Sequence, residues 1–181
     1  PENPARNITR HATYNAGVTW SADGKKLAFL SDRRGPGNVF VLSLARPAVP
    51  GFSERSLLPV LSSGIDIDWD DLHLRAQRIT STQAEEAVLS PDGNRVAFRA
   101  GSQGNHDLWV ASASGGQVTR LTGGNLHPRQ IHWSRRKMHP LSGHSDQIYF
   151  LDAAGRLRSV HASGGEAKSG SEPSTLNFKA K

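Results

Sequence analysis

Two stretches of the sequence repeat each other and decide the fold: Thr19–Ala45, TWSADGKKLAFLSDRRGPGNVFVLSLA, and Val88–Ser114, VLSPDGNRVAFRAGSQGNHDLWVASAS. They align without a gap at a constant offset of 69 residues, as from Ser21 to Ser90. A third copy follows with gaps around Trp133. Internal similarity of this kind indicates a repeat architecture, so each copy should fold into the same unit.

Each copy has the pattern of short strands joined by tight turns. An apolar strand leads into the dipeptide Asp-Gly, whose glycine accepts the positive φ that a hairpin turn requires. The sequence then predicts strands at Lys26–Ser31 and Asn38–Leu44 in the first copy, and at Arg95–Ala100, Asp107–Ala113 and Gln117–Thr122 in the second. Helical periodicity is nearly absent. Four antiparallel strands that repeat about every 42 to 50 residues are typical of a β-propeller blade.

We therefore expect an all-β fold that is part of a β-propeller, with about three four-stranded antiparallel blades. The alternative all-β fold, a sandwich, would not normally repeat its own sequence so closely. Residues 1–181 then form one partial propeller. Its predicted parts are blade one at about 15–80, blade two at about 84–122, blade three at about 127–168, and a tail or the start of a closing strand at 169–181.

The first blade is interrupted between its third and fourth strands. Its closing strand ends QRIT at Gln77–Thr80, and that of the second blade ends TRLT at Thr119–Thr122, an offset of 42 residues instead of 69. An insertion at about 47–73 accounts for the difference. It returns through IDIDWDDLH, Ile65–His73, which we interpret as an edge strand with a charged face because apolar residues alternate with aspartates. The stretch lacks the glycine and the final glutamate of an EF-hand calcium loop.

The composition is that of a soluble globular protein, with 36% hydrophobic and 21% charged residues. No apolar run approaches the roughly 18 residues of a membrane-spanning helix. The absence of cysteine excludes disulfides and thiolate zinc sites. The net charge of +6 would suit a nucleic-acid partner, but the basic residues are scattered over turns and strands, so nucleic-acid binding is not favoured. The composition leaves open whether the compartment is the cytoplasm or the periplasm.

The sequence offers little catalytic chemistry. It has neither a G-x-S-x-G elbow nor a cysteine nucleophile, and we assign no catalytic residue. Ser142, His144 and Asp146 stand close together in SGHSDQ, but a catalytic triad joins separate segments of the chain, so a polar loop is the favoured interpretation. No Walker A, G-x-G-x-x-G or H-E-x-x-H motif is present, and we expect neither a cofactor nor a metal site.

A second interruption lies in the third copy. The short turn of the first two copies, as at Ala22–Lys26, is replaced by the longer stretch Arg135–Gln147. Loops on a rigid scaffold often carry recognition, and an insertion without function is the alternative. The basic residues and histidines of this possible recognition loop are Arg135, Arg136, Lys137, His139 and His144.

Aromatic residues recur at matched positions of the copies, Trp20 with Trp133 and Phe40 with Trp109. Matched positions favour packing between neighbouring sheets over a platform for stacked bases. Three blades do not close a propeller, because known propellers have four to eight. Apolar faces would stay open at both ends of the array, so we expect the isolated chain to pair with a second copy or to be only marginally soluble.

The stretches WSADGKKLAFLSDR…NVFVLSL and SPDGNRVAFRA…DLWVASASGGQVTRLT resemble the WD40-like repeats, of the PD40 type, found in TolB and in tricorn-type proteases. Two further stretches, IDIDWDDLHLRAQRIT and GRLRSVHASGGEAK…LNFKAK, are most similar to the propeller region of tricorn-like S41 serine peptidases. The third copy departs from the pattern because it lacks Pro-Asp-Gly. The resemblance implies a late part of the propeller, ahead of a catalytic half that this sequence does not contain.

The function implied by this resemblance is that of a non-catalytic propeller fragment of a tricorn-like serine peptidase. Such a fragment would guide or gate peptide substrates and pack against the rest of the enzyme. The alternative is a TolB-like propeller that acts as a protein–protein interaction module. The implied partners are a peptide or protein, the remaining blades and catalytic region of a longer chain, or a second copy of this chain.

Overall fold

The computed structural model describes residues 4–45, 67–102, 104–135, 137–139, 143–144, 146–162 and 174–175. These residues form three four-stranded antiparallel sheets, a two-stranded hairpin and one short 3₁₀-helix, Leu72–Arg75. The expected all-β fold with four-stranded blades is therefore confirmed. No helix in the described part of the chain is long and apolar enough to cross a membrane.

The strands follow the repeat along the chain. The first sheet has the order β1 (Asn15–Trp20), β2 (Lys26–Ser31), β3 (Asn38–Ser43) and β4 (Ala76–Arg78). The second has the order β5 (Ala84–Leu89), β6 (Arg95–Ser102), β7 (Asn105–Ser112) and β8 (Val118–Arg120). The third begins with β9 (Arg129–Trp133), and the hairpin of β10 (Lys137–His139) and β11 (Gly143–His144) follows. The third sheet continues through β12 (Gln147–Leu151), β13 (Leu157–His161) and β14 (Ser174–Thr175).

The three sheets stack as neighbouring blades, and β5 contacts both β1 and β9. One apolar layer, which includes Leu30 and Phe98, joins the first and second blades. Another, which includes Leu108, Trp133 and Phe150, joins the second and third. Full burial of a side chain of this size stabilises the folded state by about 1.5 to 3 kcal/mol, so these two layers hold the array together.

The central strands of the first blade are buried on both faces. In the first blade, every residue from Leu27 to Ser31 is buried, although neighbouring side chains point to opposite sides of the sheet. This explains why KLAFLS and NVFVLS read as continuous apolar runs and not as alternating patterns. One face of β2 and β3 packs on the second blade, and the other faces outward from the array.

The outward face of the first blade is covered by the chain itself. Phe29 and Phe40 are 2% and 1% exposed, and their rings stack with centroids 5.9 Å apart. Ile8 and Leu72, which lie outside the strands, pack against this cluster. The guanidinium of Arg33 lies 5.0 Å from the centroid of the Phe40 ring. The segment before β1 and the 3₁₀-helix thus occupy the side on which a preceding blade would lie.

The outward face of the third blade is partly exposed among the described residues. The register pairs Tyr149 with Ser159 and Leu151 with Leu157 on this face. Tyr149, Leu151 and Leu157 are partly exposed, whereas Leu108, the second-blade equivalent of Leu157, is fully buried. Among the described residues the two flanks therefore differ in kind: irregular segments pack on part of the first blade, and strand side chains of the third blade stay partly exposed.

The matched aromatic residues do not share one environment. Trp133 is 3% exposed in the layer between the second and third blades, as expected for inter-blade packing. Trp109 packs against the layer between the first and second blades, and Phe40 is buried. Trp20, however, is 42% exposed, because its side of the first blade has no preceding blade to pack on.

The prediction of an edge strand at IDIDWDDLH is wrong for the described part of this stretch, Ile67–His73. There a turn leads into the 3₁₀-helix. The amide of Asp70 donates to the side chain of Asp68 at 3.0 Å. Asp71 has a left-handed φ of 50°, which breaks any extended conformation. The guanidinium of Arg75 donates to the carbonyl oxygens of Leu44, at 3.1 Å, and of Asp68. Most of the insertion predicted at 47–73 lies outside the described residues.

Candidate functional site

The Asp-Gly turns are held by a hydrogen-bond network that repeats with the sequence. In the first blade the hydroxyl of Ser21 donates to Asp23 at 2.6 Å and accepts from the amide of Lys26 at 3.0 Å. The second blade has the same network around Ser90. Gly24 has a φ of 71°, as the turn requires. The repeated spacing Ser-x-Asp-Gly therefore has a local structural role in holding the turn.

Both interruptions of the repeat leave the array at the end that carries these turns. Successive antiparallel strands run in opposite directions, so the first-to-second and third-to-fourth connections of a blade share one end. The stretch predicted at 47–73 joins β3 to β4, and the stretch Arg135–Gln147 joins β9 to β12. We call this end of the array the insertion end.

The predicted recognition residues lie in or beside the β10–β11 hairpin. The expected loop thus contains a short antiparallel ladder, in which Lys137 pairs with His144 and His139 with Gly143. Arg135 is exposed at the entrance of the hairpin. Arg136 lies outside the described residues. A recognition role for these five positions stays a prediction.

Among the described residues, the aspartate of SGHSDQ has structural contacts. Asp146 forms an ion pair with Arg95 of the second blade. Its carbonyl oxygen accepts a hydrogen bond of 2.7 Å from the amide of Ala162. Ser142 lies outside the described residues. The polar-loop interpretation is consistent with the place of Asp146 at the junction of two blades.

A Thr–His–Asp group occurs near the start of the chain. The Nε2 atom of His11 lies 2.9 Å from Oδ1 of Asp32 and 2.8 Å from the hydroxyl of Thr13. A catalytic triad uses one ring nitrogen for the nucleophile and the other for the acid, whereas here one nitrogen meets both partners. Hydrogen bonds from Thr13 and His11 lower the pKa of the Asp32 carboxyl. The group fastens the segment before β1 to the end of β2.

A second histidine group lies at the end opposite the insertion end. Glu85 lies 2.5 Å from a guanidinium nitrogen of Arg99 and 2.9 Å from Nε2 of His106. The ring of His127 lies 5.3 Å from that of His106. The Glu85 carboxylate is shared by two donors, which suits an ion-pair network more than a general base. Within the described ranges, no three His, Asp or Glu side chains come together as a set of metal ligands.

The best-buried carboxylate of the third blade, Asp152, closes the turn between β12 and β13. Burial would raise its pKa, but hydrogen bonds from the Arg156 amide and from the side chains of Arg158 and Arg156 lower it to about 2. The two guanidinium groups lie 2.9 and 3.0 Å from the carboxylate. This group is structural, because all its partners belong to the same turn and strand.

No protein-family model and no curated protein sequence matches the chain. Solved structures match it in fold. The structure of putative TolB from Agrobacterium tumefaciens aligns with 93% of this chain at a TM-score of 0.59 and 16% identity. The crystal structure of TolB from Acinetobacter baumannii aligns with 82% of the chain (TM-score 0.38, 18% identity). That of the tricorn protease aligns with 93% of the chain (TM-score 0.47, 16% identity).

The alignments cover 50%, 32% and 18% of those three structures, so the chain spans about half the length of the Agrobacterium protein. Sequence identity of this order shows the shared fold and leaves function to the site. The blades, their order and their stacking agree with this likeness. The chain is therefore an all-β protein that forms part of a β-propeller.

Proposed function

We propose that the chain is a non-catalytic propeller fragment of a tricorn-like serine peptidase, which guides or gates peptide substrates at its insertion end. The observation that carries this proposal is that both interruptions of the repeat leave the stacked blades at the same end. Propeller loops are the positions at which a stable scaffold carries variable recognition groups. The basic residues of the β10–β11 region would contact acidic or carboxylate-bearing segments of a peptide.

The other part of the proposal is that the open third blade packs against further blades of a longer chain. Tyr149 and Leu157 provide a partly exposed apolar surface, whereas Ala97 and Leu108, at the equivalent positions of the second blade, are buried. Closure by further blades would remove this surface from water. The chain's span of half the Agrobacterium structure is compatible with such blades.

Two measurements test the peptidase proposal. The isolated chain should show no turnover of fluorogenic peptides, and clear turnover would contradict a non-catalytic role. In the longer protein, the triple variant Arg135→Glu, Lys137→Glu, His139→Glu should raise KM for long peptides and leave kcat for a short peptide unchanged. Arg34→Glu, at an exposed position of the opposite end, is the matched control. Equal effects of the two variants on KM would refute guidance at the insertion end.

The second candidate function is a TolB-like protein–protein interaction module without an attached enzyme. The TM-score of 0.59 against putative TolB favours it. The two candidates differ in what the gene encodes after Lys181. A PDZ-like domain followed by a catalytic serine would support the peptidase, and a stop codon directly after Lys181 would support the module.

A further inference from the structure

A groove runs along the outer part of the second blade, on the side that faces the first. On one side of Trp109 lies a cavity of about 350 Å³, lined in part by Phe98, Val118 and Thr80–Thr82. On the other side lies a cavity of about 440 Å³, lined in part by Arg120 and asparagine side chains. Both cavities share Trp109 and the backbone at Ala100 and Gly101. We call the combined feature the Trp109 groove.

The walls of the groove favour an uncharged, apolar occupant. The indole N–H of Trp109 donates to the carbonyl oxygen of Ala100 at 3.1 Å, and the Arg120 guanidinium lies 5.8 Å from the ring centroid, so the rest of the ring surface is the part that an occupant would contact. Val118 is 40% exposed beside it. The charged groups of the groove, Asp107 and Arg120, form an ion pair with each other. The groove therefore offers an aromatic and aliphatic surface whose nearby charges are already neutralised.

One wall of the groove is the edge strand of its sheet. β8 is the last strand in the order of the second blade. The amide of Leu121 donates to the carbonyl oxygen of Leu108 at 2.8 Å, towards β7. Because the backbone groups of alternate residues point to opposite sides of a strand, those of Val118 and Arg120 point away from β7. An extended segment placed along β8 would find donors and acceptors at the correct spacing.

The first blade shows what fills the equivalent place. The repeat matches Phe40 to Trp109 and Ala76 to Val118. There the irregular segment before β1 lies on the blade, with Ile8 packed against the cluster that contains Phe40. Arg33, which covers the Phe40 ring, donates to the carbonyl oxygen of Thr9 in that segment at 3.4 Å. Aliphatic side chains from short segments outside the blade, Ile8 before β1 and Leu72 of the 3₁₀-helix, are therefore what covers this face in the first blade.

We propose that the Trp109 groove is a peptide-binding site. It takes an extended segment whose aliphatic or aromatic side chain enters between Trp109 and Val118 and whose backbone pairs with the outer edge of β8. The occupant supplies for the second blade what Ile8 and its neighbours supply for the first. This site goes beyond the proposed function, since it needs neither the insertion end nor any further blade.

The proposal can be tested with a displayed library of random decapeptides. Peptides that bind the 181-residue chain are selected, and those that also bind the Val118→Asp variant are removed. Enriched peptides should share an aliphatic or aromatic residue. Their Kd should rise at least tenfold on Val118→Asp and should stay unchanged on Leu74→Asp, which alters an exposed leucine of the first blade. Circular dichroism confirms that both variants fold. Failure to enrich any peptide that depends on Val118 overturns the proposal.

A second experiment distinguishes a peptide that pairs with β8 from one that makes only apolar contacts with the groove. A selected peptide with N-methylated backbone positions flanking its apolar residue should lose at least tenfold in affinity, because methylation removes the donors that pair with β8. Amide hydrogen exchange at Val118 and Arg120 should slow when the unmodified peptide binds. Unchanged affinity of the methylated peptide, with no slowing at β8, refutes the pairing. Neither result depends on peptidase activity, so this site and the proposed function can fail separately.

Discussion

The Nζ atom of Lys26 in the first blade lies 2.8 Å from the carbonyl oxygen of Gly93 in the second. Arg95, which holds the same repeat position one blade later, reaches the third blade in the same way. Its guanidinium donates to the carbonyl oxygen of Ala162 at 3.1 Å and pairs with Asp146. The basic residue after each Asp-Gly turn is thus a connection to the next blade.

Replacement of Arg95 by alanine should weaken the junction of the second and third blades. The change removes two charge-assisted contacts and the approach of the guanidinium to the Trp133 ring at 5.2 Å. Its side chain is 29% exposed, so we expect the free energy of unfolding to fall by about 1 to 3 kcal/mol in urea denaturation. Lys25→Ala, at an exposed position of the other turn, is the control and should stay within about 0.5 kcal/mol. An equal loss in both variants would contradict this connection.

Replacement of Ser90 by alanine should destabilise the second turn. Ser90 is 1% exposed, and its hydroxyl accepts from the Arg95 amide at 2.9 Å. Loss of that acceptor leaves a buried donor unsatisfied, which costs about 1 to 3 kcal/mol of unfolding free energy. Ser21→Ala provides an internal comparison, because the same network surrounds Ser21. Thermal and urea unfolding should give losses of similar size, and no loss in either variant would exclude a stabilising role for the network.

Acidification should remove the contribution of Asp152. Its pKa in the folded protein is about 2, below the ordinary value of 3.8. The folded state is therefore stabilised above about pH 4, and the stabilisation is lost as the pH falls towards 2. The unfolding free energy of Asp152→Asn should change less over this interval than that of the wild-type chain. Asp71→Asn, at an exposed carboxylate, should keep the wild-type slope; an unchanged slope in Asp152→Asn would argue against this role.

The open third blade should drive self-association of the isolated chain. Sedimentation velocity should show a dimer that forms with rising concentration, because Leu157 and its neighbours gain burial when two copies meet. Leu157→Glu should shift the chain to monomer, whereas Leu74→Glu, at a leucine that is 71% exposed in the first blade, should not. A wild-type chain that is monomeric, monodisperse and highly soluble would count against an uncovered apolar face.

The first two blades could be predicted from the sequence because the repeat and the turn chemistry agree in both of them. Asp23-Gly24 and Asp92-Gly93 mark the turns, and the strands after them begin at Lys26 and Arg95 as expected. The environment of each strand could not be predicted, because it depends on the neighbouring blade. Trp20 and Trp133 are equivalent in the repeat, yet one is 42% exposed and the other 3%.

The segments outside the repeat were less predictable. Alternation in IDIDWDDLH favours a strand, but the side chain of Asp68 bonds locally and Arg75 holds the backbone in a turn. Such short-range bonds compete with strand pairing and leave no periodic signal. No sequence motif predicts the Trp109 groove either, because its walls combine the Thr80–Thr82 connection after the first blade with Trp109 and Val118 of the second. Only the stacked structure brings these residues together.

The segments that pack on the outward face of the first blade bear on how copies of the chain can assemble. Contact between unlike flanks would let copies add one after another, and open series of this kind grow into fibres. Such growth would first have to displace Ile8 and Leu72 from the first blade. Contact between two third blades would bury the outward face of each, so association would end at a dimer. The segment around Ile8 would therefore oppose the addition of further copies at the part of the first blade on which it packs.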